Sequence, residues 1–175
     1  STRLLAACCL GGPCKGNIST LRTAVRTIDV FDADDIAREL VQIDTLCYQQ
    51  IVGQFGSSFL LSDRSLDRPQ LRALIFSDAQ AKQSLEAILH PVIHAELVAK
   101  SALSQSAYCI LAIPLLAESK IVYPLNHVLV IKTSPELQLQ RLCKRDGFST
   151  ETAQAMINQQ SSSADKAAIA NDIIH

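Results

Sequence analysis

The chain has 175 residues, of which 48% are hydrophobic and 19% charged, and its formal net charge is −1. This is enough apolar material for a packed core, and the near-neutral charge provides no basic field for general nucleic-acid binding. No apolar run approaches the roughly 18 residues that a membrane span needs. We therefore expect one domain with room for a small inserted subdomain, without nucleic-acid or membrane partners. We also expect a cytoplasmic protein that is a monomer or weak oligomer.

The first predicted element is a strand over residues 4–10, and a glycine-rich turn follows it. Gly11 and Gly16 have the spacing of the glycine pair in a phosphate-binding loop, which needs Lys and then Ser or Thr directly afterwards. Asn17 and Ile18 occupy those positions, so a turn with no ligand is the alternative interpretation. The candidate loop consists of Gly11, Gly12, Pro13, Cys14, Lys15, Gly16, Asn17, Ile18 and Ser19.

A second predicted strand, over residues 28–31, runs directly into an acid cluster and then into a helical pattern. The acids are Asp32, Asp34 and Asp35. In an α/β protein this order places carboxylates at the carboxyl edge of a parallel sheet, where ligands bind. Asp is also a favoured helix N-cap, so a purely structural role for Asp32 or Asp34 is the alternative.

A long helical pattern separates the second and third strands and predicts an inserted subdomain over about 43–106, within a core of 1–42 and 107–175. A turn-rich loop is expected at 56–67. The pair His90-Pro91 is expected to break the last helix of the insertion, which makes His90 either a structural cap or a site residue. The predicted helices cover residues 42–55, 68–76 and 79–103.

Apolar runs over residues 108–113 and 127–131 complete a predicted four-stranded parallel sheet covered on both faces, and residues 171–175 have the pattern of a fifth strand. Glu118 follows the third strand and can face the same cleft as Asp34. The alternative for Glu118 is a solvated acid in the first turn of a helix.

After the fourth strand, Ser134-Pro135-Glu136 has the residues of a helix start. Arg141 and Arg145 lie one helical turn apart and share a face that can bind phosphate, although the helix dipole alone also favours basic residues there. Another helix is predicted to begin at residue 149, and the polar segment 159–163 is expected to be exposed and mobile.

The six cysteines form no CxxC pair and no convincing zinc pattern. Cys109 lies in a strand-like apolar run and Cys143 in a helix-like one, as expected for buried free thiols in a reducing compartment. We therefore predict no metal site built from protein ligands alone.

Several motifs together resemble the dephospho-coenzyme A kinase family, and they extend from about Ile28 to Ile174. This kinase is the last enzyme of coenzyme A biosynthesis. The motifs occur in the order found in that family, and the combination is more specific than any single motif. The matching segments are Asp32-Ala33-Asp34-Asp35-Ile36-Ala37-Arg38, Leu66-x-Arg68-x2-Leu71-Arg72-x2-Ile75-Phe76, Leu89-His90-Pro91-Val92-Ile93, Pro114-Leu115-Leu116-x-Glu118, Val128-Leu129-Val130, Ser134-Pro135-Glu136-x-Gln138-Leu139-x-Arg141 and Arg145-Asp146.

The resemblance implies an α/β, P-loop kinase-like three-layer parallel sheet with an inserted helical acceptor-binding subdomain and a lid over about 145–165. It implies transfer of the ATP γ-phosphate to the ribose 3′-hydroxyl of dephospho-coenzyme A, with Mg²⁺. Asp34 matches the catalytic base of the family and Arg145 its lid arginine, while Arg141 and the loop 11–19 would bind the nucleotide. The residues that match acceptor-site positions are Asp32, Arg38, Arg68, His90 and Glu118.

The phosphate loop departs from the family pattern Gly-Gly-x-Gly-x-Gly-Lys-Ser/Thr, because the Lys and the Ser or Thr are absent. Residues 1–27 resemble the family less than the rest, and the chain ends before the family's adenine-holding loop, as expected of a fragment. The alternative function is therefore a catalytically impaired pseudokinase that serves as a binding module. A nucleoside monophosphate kinase is disfavoured by His90-Pro91 and by residues 114–118.

Overall fold

The computed structural model describes six segments of the chain, and the predicted phosphate loop and residues 159–162 of the polar segment lie outside them. The described residues are 3–9, 28–114, 116–119, 121–146, 149–158 and 163–174. The backbone alone is described for residues 3–9, 145, 146, 156 and 163.

Five strands form one sheet in which every pairing is parallel. The strands are β1 (Arg3–Cys9), β2 (Asp29–Asp32), β3 (Tyr108–Ala112), β4 (His127–Ile131) and β5 (Asp172–Ile174). Their spatial order is β2-β3-β1-β4-β5. The parallel sheet predicted from the four apolar runs is therefore confirmed, and the C-terminal segment supplies the fifth strand.

Seven helices occur in the described part of the chain. They are α1 (Ala33–Leu40), α2 (Leu46–Phe55), α3 (Arg68–Ser77), α4 (Ala79–Leu103), α5 (Pro135–Asp146), α6 (Thr150–Asn158) and α7 (Ser163–Ala168). Two short 3₁₀ turns, Ser57–Phe59 and Leu116–Glu118, follow α2 and β3.

The chain forms two compact units, residues 1–32 with 101–175, and residues 33–100. In the first unit the core lies at the centre of the sheet, where Leu111 and Ala112 of β3 and Val130 of β4 are completely buried. An uninterrupted apolar strand is what a parallel sheet covered on both faces requires. The edge strand β5 is exposed along its length.

Polar contacts secure the edges of the sheet in the first unit. At the start of β2, the Asp29 carboxylate accepts a hydrogen bond from the Ser104 hydroxyl at 2.6 Å. At the start of β5, Asp172 Oδ2 lies 2.7 Å from His127 Nε2, and Asn171 Oδ1 accepts from the Val128 N–H at 2.8 Å. The first contact joins β2 to the segment that precedes β3, and the other two join the exposed edge strand β5 and the residue before it to β4.

In the second unit the helices pack around a cluster formed by Tyr48, Ile51, Leu66 and Leu71. The buried Tyr48 donates its hydroxyl to the Arg64 carbonyl at 2.6 Å. The loop between α2 and α3 is therefore attached to the core through its own backbone. This arrangement satisfies a phenol that would otherwise be buried without a hydrogen-bond partner.

Side-chain caps explain where several helices begin. Thr45 accepts from the Tyr48 N–H at 3.3 Å, and Asp44 has a left-handed φ of 68°. The helix predicted to begin at residue 42 therefore begins at Leu46, because residues before it form a turn. Asp67 caps α3 by accepting from the Gln70 N–H at 2.9 Å.

The predicted start of α5 is confirmed, since Ser134 Oγ accepts from the Leu137 N–H at 3.3 Å. Hydrogen bonds from its own backbone N–H and from the Ser134 side chain hold the pKa of Glu136 below its usual value. Ser149 caps α6 in the same way, accepting from the Thr152 N–H at 3.2 Å. Acids are favourable at such positions because the N–H groups of the first turn point at them.

The predicted break at His90-Pro91 is wrong, because α4 continues through Pro91 as one helix of 25 residues. Proline removes one N–H and crowds the carbonyl four residues earlier, which costs about 3 kcal/mol in a helix interior. Here 12 helical residues precede Pro91 and 12 follow it, and both sides are packed, since Ile88 contacts the Tyr48 cluster and Leu97 is completely buried. This packing offsets the cost of the proline. His90 is an exposed residue within the helix, not a cap at its end.

Replacing Pro91 with Ala is expected to raise the free energy of unfolding by about 1–3 kcal/mol, because alanine restores the missing N–H and removes the clash. Urea unfolding would measure the change. Pro69→Ala is the matched control and is expected to change stability little, since Pro69 lies in the first turn of α3, where its N–H has no helical partner. Destabilisation by Pro91→Ala would show that the helix depends on its proline.

The thiols of Cys47, Cys109 and Cys143 are free, as predicted for Cys109 and Cys143. Cys47 and Cys109 are buried. The prediction that Cys143 is buried is wrong, because it lies beside the exposed Lys144 on α5 and is itself partly exposed. Burial raises the pKa of Cys47 and, together with the nearby Asp29, that of Cys109. Both are therefore neutral, unreactive thiols at physiological pH. Across the segments that the structure describes, no helix has the length and apolar character of a membrane span.

Candidate active site

Acidic residues follow β2 without an intervening loop. The strand ends at Asp32, α1 begins at the next residue, and Asp34 and Asp35 lie in the first turn of that helix. Asp32 is paired in register with Ala112 of β3, so it marks the carboxyl edge of the parallel sheet. This is the edge at which open α/β sheets bind their ligands.

Asp35 is paired with Arg38 one helical turn further on, and both side chains are partly exposed. The pair orients the guanidinium toward the acidic first turn of α1. A guanidinium carries five N–H donors in a planar fork. The contact with one oxygen of Asp35 therefore leaves other N–H groups of Arg38 able to bind a phosphate. Asp35 was predicted only as a member of the acid cluster after the second strand and was given no role of its own, although its i,i+3 spacing to Arg38 is a sequence signal for such a pair.

Glu118 ends the 3₁₀ turn that follows β3, and its carboxylate lies 3.5 Å from Lys166 Nζ. Lys166 is a residue of α7 with only 1% of its surface exposed. Leu116 of the same turn packs against the buried Val130. Both apolar and ionic contacts therefore hold the turn in place.

The structure places Asp32 at the end of β2 and Glu118 after the neighbouring strand β3, both in the first unit. Arg141 also belongs to this unit and is exposed within α5. The backbone of Arg145 lies in the last turn of α5, and its side chain is outside the described atoms. The candidate loop 11–19 is also outside the described residues, so its role stays a prediction.

The second unit holds Asp34, Arg38, Arg68 and His90. Arg68 is the first residue of α3 and is exposed, as is His90 in the middle of α4. Exposure of this kind leaves both side chains accessible to an anionic ligand. That Asp34 and Glu118 share a cleft stays a prediction.

Lys166 is a second residue that the sequence did not indicate as part of the site. A lysine in a short polar helix is usually solvated, and nothing in the pattern around residues 163–168 indicates burial. Only the three-dimensional arrangement reveals it as the ionic partner of Glu118. In the described segments, no group of three or more His, Cys, Asp or Glu residues is arranged to hold a metal ion.

A parallel sheet with the order β2-β3-β1-β4-β5 and acids at the carboxyl end of β2 defines the chain as a protein of the P-loop kinase fold. A model of the dephospho-CoA kinase (CoaE) family matches residues 12–175. The chain therefore belongs to the dephospho-CoA kinase family, whose members are ATP-dependent kinases acting in coenzyme A biosynthesis. The matched region begins inside the glycine-rich segment. It therefore extends further toward the N-terminus than the motifs of the sequence analysis, which begin at about Ile28.

Individual relatives agree with the family match. The chain is 43% identical over 147 residues to dephospho-CoA kinase from Aeromonas hydrophila, covering 84% of this chain and 72% of the relative. It is 38% identical over 164 residues to dephospho-CoA kinase from Aliivibrio fischeri, covering 94% and 90%. A substrate pair of ATP and dephospho-CoA follows from membership of this family.

Solved structures have the same fold. TT1252 from Thermus thermophilus superposes with a TM-score of 0.78 at 23% identity, covering 98% of this chain and 87% of the other. Dephospho-CoA kinase from Campylobacter jejuni gives a TM-score of 0.68 at 27% identity, covering 99% and 88%. The fold class predicted from the sequence is thus confirmed.

Proposed function

We propose that this chain transfers the γ-phosphate of ATP to the ribose 3′-hydroxyl of dephospho-CoA, with Asp34 as the general base. The observation that carries the proposal is the position of Asp34 in the first turn of a helix that begins directly after β2. A hydroxyl is a poor nucleophile until a positioned carboxylate accepts its proton. Asp34 is the acid of this segment that matches the family base.

Positive charge is the second requirement, because the transferred phosphoryl group and the acceptor are anionic. We assign Arg141 and Arg145 to the nucleotide side, with Arg145 stabilising charge on the transferred group. On the acceptor side we assign Arg38, oriented by Asp35, together with Arg68. The remaining acceptor-site residues in this proposal are Asp32, His90 and Glu118.

Magnesium would enter this site with ATP. Mg²⁺ is bound mainly through substrate phosphates, water and one or two carboxylates, so a dedicated cluster of protein ligands is not required. The carboxylates of Asp32, at the end of β2, and of Asp34, in the first turn of α1, are of the ligand type it takes. When bound, the ion offsets the negative charge of the β- and γ-phosphates.

The second candidate is a binding module that holds dephospho-CoA without transferring phosphate. Asn17 and Ile18 favour it, because they replace the residues that a phosphate loop uses for ATP and magnesium.

For either candidate function, we place the chain in the cytoplasm as a monomer or weak oligomer. Its proposed ligands are small molecules, and we propose no nucleic-acid or membrane partners.

Calorimetric titration of the chain with dephospho-CoA tests both candidates, since both retain the acceptor site. The controls are coenzyme A, which already carries the 3′-phosphate, and a nucleoside monophosphate. We expect dephospho-CoA to bind at micromolar concentrations and the nucleoside monophosphate to bind at least about tenfold more weakly, since it lacks the pantetheine arm. Preference for the nucleoside monophosphate would contradict the assignment.

A further inference from the structure

Lys166 is the most completely buried charged side chain in the described part of the molecule. Only 1% of its surface is exposed, although it lies in the six-residue helix α7. Burying an ammonium group is strongly unfavourable unless the charge is paired. One of its partners is the Glu118 carboxylate, whose Oε1 lies 3.5 Å from Lys166 Nζ.

The two segments that carry this pair also make apolar contact. Leu116, two residues before Glu118, and Ala170, four residues after Lys166, both pack against Val130 of β4. The 3₁₀ turn after β3 and the segment from α7 to β5 therefore meet through an apolar cluster as well as an ion pair. Together they leave the Glu118 backbone and carboxylate little freedom to move.

Exposure differs sharply between the two partners. The Lys166 side chain is 2% exposed, whereas the Glu118 side chain is 26% exposed. A ligand can therefore reach Glu118 but not Lys166. We propose that Lys166 is a positioning residue, which holds the Glu118 carboxylate in the orientation that binds the acceptor; this rests on the acceptor role of Glu118 in the proposed function.

A double-mutant cycle on acceptor binding tests this proposal. Lys166→Met removes the charge while keeping a similar volume, and Glu118→Gln removes the carboxylate. Each single change is expected to weaken dephospho-CoA binding by about tenfold, the effect of one lost charged hydrogen bond. Lys166→Met in the Glu118→Gln background is expected to cause less than about twofold further loss, because a residue that acts only through Glu118 has nothing left to position.

Two further variants separate positioning from folding. Lys166→Arg keeps the charge and is expected to retain affinity within about threefold, whereas Lys82→Met removes an exposed lysine paired with Glu86 at 3.9 Å and is expected to leave affinity unchanged. Thermal unfolding of each variant shows whether the folded state persists under the conditions of titration.

The outcomes are distinct. Additive losses from the two single changes, or unchanged affinity in folded Lys166→Met, would overturn the positioning role. Tight binding by Glu118→Gln would also overturn it, while leaving dephospho-CoA as the ligand of this protein. Absence of dephospho-CoA binding by the unmodified chain would instead contradict the proposed function.

Discussion

Asp34→Asn is expected to lower kcat by about 10²–10⁴-fold, the usual effect of losing a general base. The amide cannot accept the proton of the ribose hydroxyl, yet it keeps the size of the carboxylate. Affinity for dephospho-CoA is expected to change much less, because the base acts mainly in the transition state. The measurement is steady-state kinetics in a restored-loop variant, defined as Asn17→Lys with Ile18→Ser.

Asp44→Asn is the matched control for this prediction. Asp44 is exposed and lies 3.6 Å from the equally exposed Arg64, so the pair contributes little to stability. Its φ of 68° is one that asparagine tolerates well. Near-normal kcat in Asp34→Asn, or an equal loss in both variants, would refute Asp34 as the base.

The restored-loop variant is expected to bind ATP about 10–100-fold more tightly than the unmodified chain. A phosphate loop surrounds its anion with backbone N–H groups, and the lysine adds a charge-assisted hydrogen bond to the β- and γ-phosphates. Asn17 provides no cation, Ile18 provides no hydroxyl oxygen for magnesium in the position of the Ser or Thr, and Pro13 removes one N–H donor. The unmodified chain is therefore expected to bind ATP poorly and to carry out the proposed transfer slowly, or not at all if the second candidate function, a binding module, is correct.

A reversed variant, Asn17→Ser with Ile18→Lys, controls for this substitution because it adds the same two side chains in the wrong order. Calorimetric titration with ATP and magnesium should show a gain for the restored-loop variant alone. Equally tight ATP binding by the unmodified chain would mean that the loop register is wrong and that Lys15 takes the place of the lysine.

The strands of this fold were predictable because parallel strands covered on both faces are continuous apolar runs. The pattern of residues 171–175 also indicated the strand β5. The error at Pro91 arose because proline is a reliable helix breaker only where the flanking turns are weak. The late start of α2 depends on a left-handed residue, Asp44, which no hydrophobic pattern indicates.

The candidate site was predictable to the extent that it depends on local sequence. Asp34 follows a strand-like run and lies where the helical pattern begins, so its place in the first turn of α1 could be anticipated. The contact between Glu118 and Lys166 joins residues 48 positions apart, and it depends on how the segment before β5 packs against β4. No local pattern contains that information, because a lysine is solvated in most helices.

The most direct test of the central claim is to follow the reaction of the restored-loop variant with ATP, Mg²⁺ and dephospho-CoA by ³¹P nuclear magnetic resonance and mass spectrometry. We predict a product heavier than dephospho-CoA by one phosphoryl group, with the new phosphomonoester on the ribose 3′-oxygen, and one ADP released for each product formed. Failure to phosphorylate dephospho-CoA while both ligands bind, or transfer of phosphate to a nucleoside monophosphate instead, would contradict the claim.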